Sequence, residues 1–208
     1  DLRRRYPEAL LVVQRSLQSY PGDRDFLQKK ASILYNSAQY MAAAEVATML
    51  RTEYPYNQKY RGMVQDAWMA AGLVFQKKAL VDSAIFCYNR VLEGNRTDSL
   101  AHMNKIGLLM GKGDFAYALR CVDTALQRFE YAEPFLLKKV IVLDSLGRFA
   151  EAAQYADTLS KRFDQRKHRE YAAFLRSKTM QHAFGLSLLN SSFSGVDDNP
   201  APPAYRIA

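Results

Sequence analysis

The chain has 208 residues, 49% of them hydrophobic and 24% charged, and carries a formal net charge of +8. A chain of this length and apolar content can bury a substantial core. No run of about 20 apolar residues exists to span a membrane as a helix, and no apolar run of signal-peptide type follows Asp1-Leu2-Arg3-Arg4-Arg5. Without a starting Met the chain reads as mature or excised.

Taken in chain order, the predicted elements repeat with a period of 34. Residues 7 to 20, with Tyr6, Ala9, Val13 and Pro21 at spaced positions, read as the second helix of a half repeat covering 1–23. A full repeat follows at 24–57, with Leu27, Leu34, Tyr40, Ala43 and Ala47 at packing positions and Pro55 ending its second helix. Seven extra residues, Gln58 to Val64, come next. Seven is close to two helical turns, so the next first helix is lengthened without rotating its apolar face.

The repeat 65–98 carries Trp68, Gly72 and Phe75, then Ala84, Tyr88 and Val91-Leu92. In 99–132 the turn Gly113-Asp114-Phe115 precedes Ala118, Val122 and Ala125-Leu126, and in 133–166 Gly147-Arg148-Phe149 precedes Ala152. Residues from about 166 to 180, with Tyr171, Ala172, Phe174 and Leu175 among charges, read as a capping helix. Residues 181–208 lie outside the array. From His182 to Leu188 apolar and small residues alternate with the period of a strand.

Trp, Gly and an aromatic spaced W-x3-G-x2, followed by A-x3-aromatic, resemble the tetratricopeptide repeat, whose period is about 34 residues. The resemblance covers about four-fifths of the chain. It departs from the family pattern in that the position of Trp68 is Leu27, His102 and Leu136 elsewhere. It implies an all-α fold, a right-handed α-solenoid of helix hairpins with a short strand-like C-terminal tail. Ala84, Ala118 and Ala152 then sit where two helices approach to about 8–10 Å, which only a small side chain permits. Phe75, Leu109, Leu143, Tyr88, Val122 and Ala156 fill the space between units. Each unit buries its face only on a neighbour.

Little in the chain suggests reaction chemistry. Cys87 and Cys121 stand one period apart, so stacked helices hold them beyond the ~7 Å a disulfide tolerates, and free thiols are expected. His102, His168 and His182 lie in different units, and neither cysteine belongs to a CxxC pair. Gly107 to Gly113 lacks the spacing and the Ser or Thr of a phosphate loop, and falls at a helix-to-helix turn. No Ser-His-Asp or paired-carboxylate arrangement is legible. The expectation is a protein that is not an enzyme and uses no cofactor or metal.

The resemblance implies that first helices line a concave groove. The positions facing it include Tyr35, Asn36, Met69, Leu73, Gln76, Met103, Asn104, Met110, Leu137 and Ile141, with Gln28, Ser32, Lys77, Gly107, Lys138 and Asp144 beside them. Its middle is rich in Met, a side chain that repacks around irregular partners. The opposing reading is that these residues touch one another or the tail. A clamp for acidic C-termini is rejected, since only Asn104 matches its Lys and Asn pattern. Basic residues crowd the end of the array, with Arg162, Arg166, Lys167 and Arg169 forming a candidate patch for an anionic partner. The alternative is a solvated cap.

The function expected is a noncatalytic interaction or assembly scaffold that binds a protein or peptide segment, and not nucleic acid. An array breaking into strands at its end also resembles the periplasmic repeat portion of bacterial outer-membrane proteins with a C-terminal β-barrel. That resemblance implies a spacer or docking platform, favours the periplasm over the cytoplasm, and would place membrane association in a region after Ala208. The oligomeric state and the identity of the partner stay open.

Overall fold

The computed structural model describes residues 2–183. In this range the chain forms α1 (Leu2–Ser19), α2 (Arg24–Asn36), α3 (Tyr40–Glu53), α4 (Gln58–Lys77), α5 (Val81–Gly94), α6 (Ser99–Gly111), α7 (Phe115–Leu126), α8 (Glu133–Ser145), α9 (Phe149–Phe163) and α10 (Arg166–Ala183). There is no strand among the described residues. The fold class is the all-α solenoid of helix hairpins.

Helix starts follow from local chemistry. Asp23 Oδ1 accepts from the amides of Asp25 and Phe26 at 2.9 Å each, Asn57 caps α4, Asp98 caps α6 and Asp114 caps α7. Each short side chain satisfies amides that have no partner inside the helix.

The hairpin turns are four copies of one device. Ala38, Ala79, Gly113 and Gly147 all adopt positive φ, between 56° and 79°. After each, the next amide donates to a carbonyl five residues back: Gln39 to Leu34, Leu80 to Phe75, Asp114 to Leu109 and Arg148 to Leu143, at 2.9–3.0 Å. This closure, with a left-handed residue inside it, ends a helix and reverses the chain. Two of the four left-handed positions are alanine, where the sequence shows no glycine to mark the turn.

The chain divides into two compact units, 1–105 and 106–208. In the first, Leu27, Leu34, Ala43, Ala47, Leu50, Trp68 and Val91 belong to one buried cluster, and Leu10 and Leu17 of α1 pack against it. The seven-residue insertion extends α4 to 20 residues, as its length predicted. Its Tyr60 and Val64 join the same core. In the second unit Val140, Leu143, Ala152, Ala156, Tyr171, Ala172 and Leu175 form the core, so α10 covers the last hairpin. Ala84, Ala118 and Ala152 are fully buried, as helix contacts sized for a methyl group require.

Two boundaries differ from the sequence reading. α1 begins at Leu2 rather than near residue 7, and Pro7 sits within it. α10 runs through Ala183, so the first residues of the expected strand are helical. There the His182 ring packs edge-on against Phe149 at 5.5 Å, a tertiary contact that overrides the local alternation. The rest of the expected strand lies outside the described residues.

Candidate functional site

In the first unit, α2, α3 and α4 enclose a hollow of about 220 Å³. Its floor is made of buried methyl groups: Ala31, Ala43, Ala47 and Ala67. Its rim is Ser32, Tyr35 and Asn36 from α2 and Met63 and Asp66 from α4. The spacings 32, 35, 36 and 63, 66, 67 are both i, i+3, i+4, which puts each set on one helix face. Small residues underneath leave room for an inserted apolar side chain. Around it stand a phenol, an amide and a carboxylate that can meet backbone or polar groups of a ligand.

Tyr35 is the exposed aromatic side chain of this rim. It is 37% exposed and rests edge-on against Tyr40 with ring centres 5.1 Å apart. Its partial burial, with Asp66 and Tyr40 nearby, raises its pKa above the usual phenol value, so it stays a hydrogen-bond donor at neutral pH.

Further along α4 the expected groove residues divide. Leu73 is 40% exposed, whereas Met69 is half-buried against the core of the unit. The exposed Gln76 accepts a 2.7 Å hydrogen bond from the hydroxyl of the buried Tyr88. Burial raises the pKa of Tyr88, and the neighbouring Asn104 amide opposes that rise. The Nδ2 of Asn104 is itself buried and makes no hydrogen bond of full geometry. Met103 is half-buried. Gln76 and Asn104 thus meet at one phenol that joins their helices, and part of the expected groove is spent on holding the repeats together.

In the second unit Leu137 is half-buried and Ile141 packs against the core. Met110 departs from the expectation: it is only 3% exposed and offers no surface to a partner. It lies four residues after the fully buried Ile106, one helical turn along the same stripe. Lys138, beside Leu137, has its pKa lowered by burial.

Each residue of the expected basic patch has a contact within the chain. Arg166 pairs with Glu170 at 2.6 Å, Arg169 pairs with Asp164, and Lys167 stands 4.0 Å from Glu133. Arg162 lies over the ring of Tyr131, 4.4 Å from its centre. Glu133 also accepts from Gln165 at 3.0 Å and contacts the buried His168 at 2.9 Å, so this cluster fastens α10 to α8.

Met63 and Asp66 are the site residues that sequence reasoning missed. Met63 falls in the insertion before the repeat frame begins. Stepping the apolar spacing back four residues from Ala67 would have found it. Cys87 and Cys121 are buried thiols outside any disulfide, and burial pushes the Cys87 thiol up to about 11, which keeps it protonated and unreactive near neutral pH. Among the described residues no group of three or more His, Cys, Asp or Glu side chains could hold a metal ion. No helix among them is long and apolar enough to cross a membrane.

No protein-family model and no curated protein matches the sequence. Solved structures are similar in fold. A structure of Naa15/Naa10 bound to HypK-THB is similar over 90% of this chain and 28% of that chain, at 17% identity and TM-score 0.54. A thermophilic TPR protein of Thermus thermophilus is similar over 82% of this chain and 90% of that chain, at 18% identity and TM-score 0.43. A tetratricopeptide repeat protein from Parabacteroides merdae is similar over 92% of this chain and 75% of that chain, at 13% identity and TM-score 0.45. With its period of 34 residues, its four equivalent hairpin turns and its buried alanine at each helix contact, the chain is a protein of the tetratricopeptide-repeat fold.

Proposed function

We propose that the chain is a noncatalytic interaction scaffold that binds a protein or peptide segment on the face formed by α2 and α4. The observation that supports this reading most directly is the hollow over Ala31, Ala43, Ala47 and Ala67, which the exposed Tyr35 overhangs. Alanine methyls recessed below an aromatic rim leave space for one apolar side chain of a partner. Asn36, Asp66 and the Tyr35 hydroxyl supply the few polar groups that fix its orientation. An aromatic anchor beside a pocket is the arrangement from which most interface affinity comes.

The test is a peptide selection against the purified chain, followed by affinity measurements on variants. Tyr35→Ala and Leu73→Ser should each weaken the selected peptides about tenfold or more, equivalent to about 1.4 kcal/mol. Met49→Ser, at an exposed position of α3 away from the hollow, should leave affinity unchanged. The reverse pattern, with Met49 sensitive and Tyr35 indifferent, would overturn the assignment.

A further inference from the structure

On the opposite face of α4 from the alanine-floored hollow, a second and larger one of about 450 Å³ opens between the ends of α3 and α5 and the first turns of α4. Three guanidinium groups line it: Arg51, Arg61 and Arg90, together with Thr52, Gln65 and Glu93. The geometry points to a binding site for a phosphate group, carried by a small free anion or by a phosphorylated side chain.

The charges carry the argument. Glu93 is the one acid of the lining, and it is engaged by Arg90 Nη1 at 2.9 Å. Arg90 is also held over the rings of Trp68 and Phe86, 5.9 and 5.5 Å from their centres. Among the described residues Arg61 spends only its Nε, on the carbonyl of Pro55 at 3.1 Å, and its terminal amino groups have no partner there. Arg51 makes no hydrogen bond or ion pair among the described residues. Asp98, behind Gln65, is occupied by Gln65 Nε2 at 2.7 Å and by the amide of Ala101 at 2.8 Å. The lining therefore carries two more positive than negative charges, matching a phosphate monoester of about −1.5 to −2.

Helix electrostatics do not account for the arrangement. Arg51 in the last turn of α3 complements the negative end of that helix. Arg61 stands at the start of α4, whose first turn holds no acid, and a cation is disfavoured at that positive end. Three like charges around one hollow repel one another until an anion joins them. The guanidinium fork suits phosphate oxygens, which it can engage with two parallel hydrogen bonds. Two turns of helix make the site, because Arg61 and Val64 belong to the seven-residue insertion that the other repeats lack. The volume lies within the range of small-ligand pockets, about 300–1,000 Å³.

Trp68 is the chain's single tryptophan and touches Arg90, so its fluorescence reports on the site. The full chain is titrated by fluorescence and calorimetry with inorganic phosphate, with pyrophosphate, with sodium chloride at matched ionic strength, and with a phosphoserine peptide and its unphosphorylated twin. Saturable binding of phosphate or pyrophosphate, weakened about tenfold or more in Arg51→Gln/Arg61→Gln, is the expected result and assigns a free anion. Saturation by the phosphopeptide alone, with its twin silent, assigns the phosphate to a partner protein. Arg51→Gln by itself removes no hydrogen bond or ion pair among the described residues, and an unchanged melting temperature in that variant ties its weaker binding to the site rather than to the fold. A response that follows ionic strength alone, that survives in the double variant, or that no phosphate compound produces would overturn the site.

Discussion

Gly72 lies directly against Tyr88: a Cβ built on Gly72 would sit 2.7 Å from Cε1 of that ring. The ring cannot retreat, because it is fully buried and its hydroxyl is fixed to Gln76 at 2.7 Å. The glycine is thus required by contact across the hairpin rather than by backbone conformation, since Gly72 sits inside α4.

Gly72→Ala follows as a prediction in which two effects compete. Alanine gains about 1 kcal/mol of helix propensity, while overpacking a rigid core costs about 1–3 kcal/mol. The clash wins with a fixed ring as neighbour, and thermal unfolding should show a net loss of up to about 2 kcal/mol. An unchanged or raised melting temperature would mean that α4 and α5 can separate freely.

The four left-handed turn positions supply a matched pair of substitutions. Ala79 holds φ 56° where the later turns have Gly113 and Gly147. Left-handed backbone costs a non-glycine residue roughly 1–2 kcal/mol, and the greater unfolded-state entropy of glycine takes back about 0.4–1 kcal/mol of the relief. Ala79→Gly should therefore stabilise the chain by up to about 1.6 kcal/mol. Gly113→Ala should cost about the same, since no atom lies within 4 Å of its missing Cβ. Denaturant unfolding of both variants checks the symmetry, and a destabilised Ala79→Gly would contradict it.

Ala118→Arg tests the repeat frame itself. Ala118 is fully buried where α7 packs in the second unit. A long cation there meets both overpacking and an unpaired buried charge, so the cost should be about 3 kcal/mol or more. A loss under about 1 kcal/mol in calorimetry would show that the contact is not sized for a methyl group.

The amino-acid sequence by itself determined the period, the order of the hairpins, the alanine contacts, the lengthened α4 and the unbridged thiols. These features are local: each rests on spacing within one 34-residue unit or on a neighbour one period away, and a repeat stack has few other contacts to alter them. Tertiary structure decided which outward positions remain open to a partner. Met110 looked like a groove residue until Ile106 placed it on the buried stripe, and only the fold shows Arg166 paired with Glu170 and Arg169 with Asp164. The hollow beside Tyr35 needed Met63 and Asp66 from the next helix, and the arginine-lined one needed three helix ends to converge. Exposure and pairing depend on side-chain directions from helices that the chain brings together only after folding, and the spacing of residues along the sequence does not encode those directions.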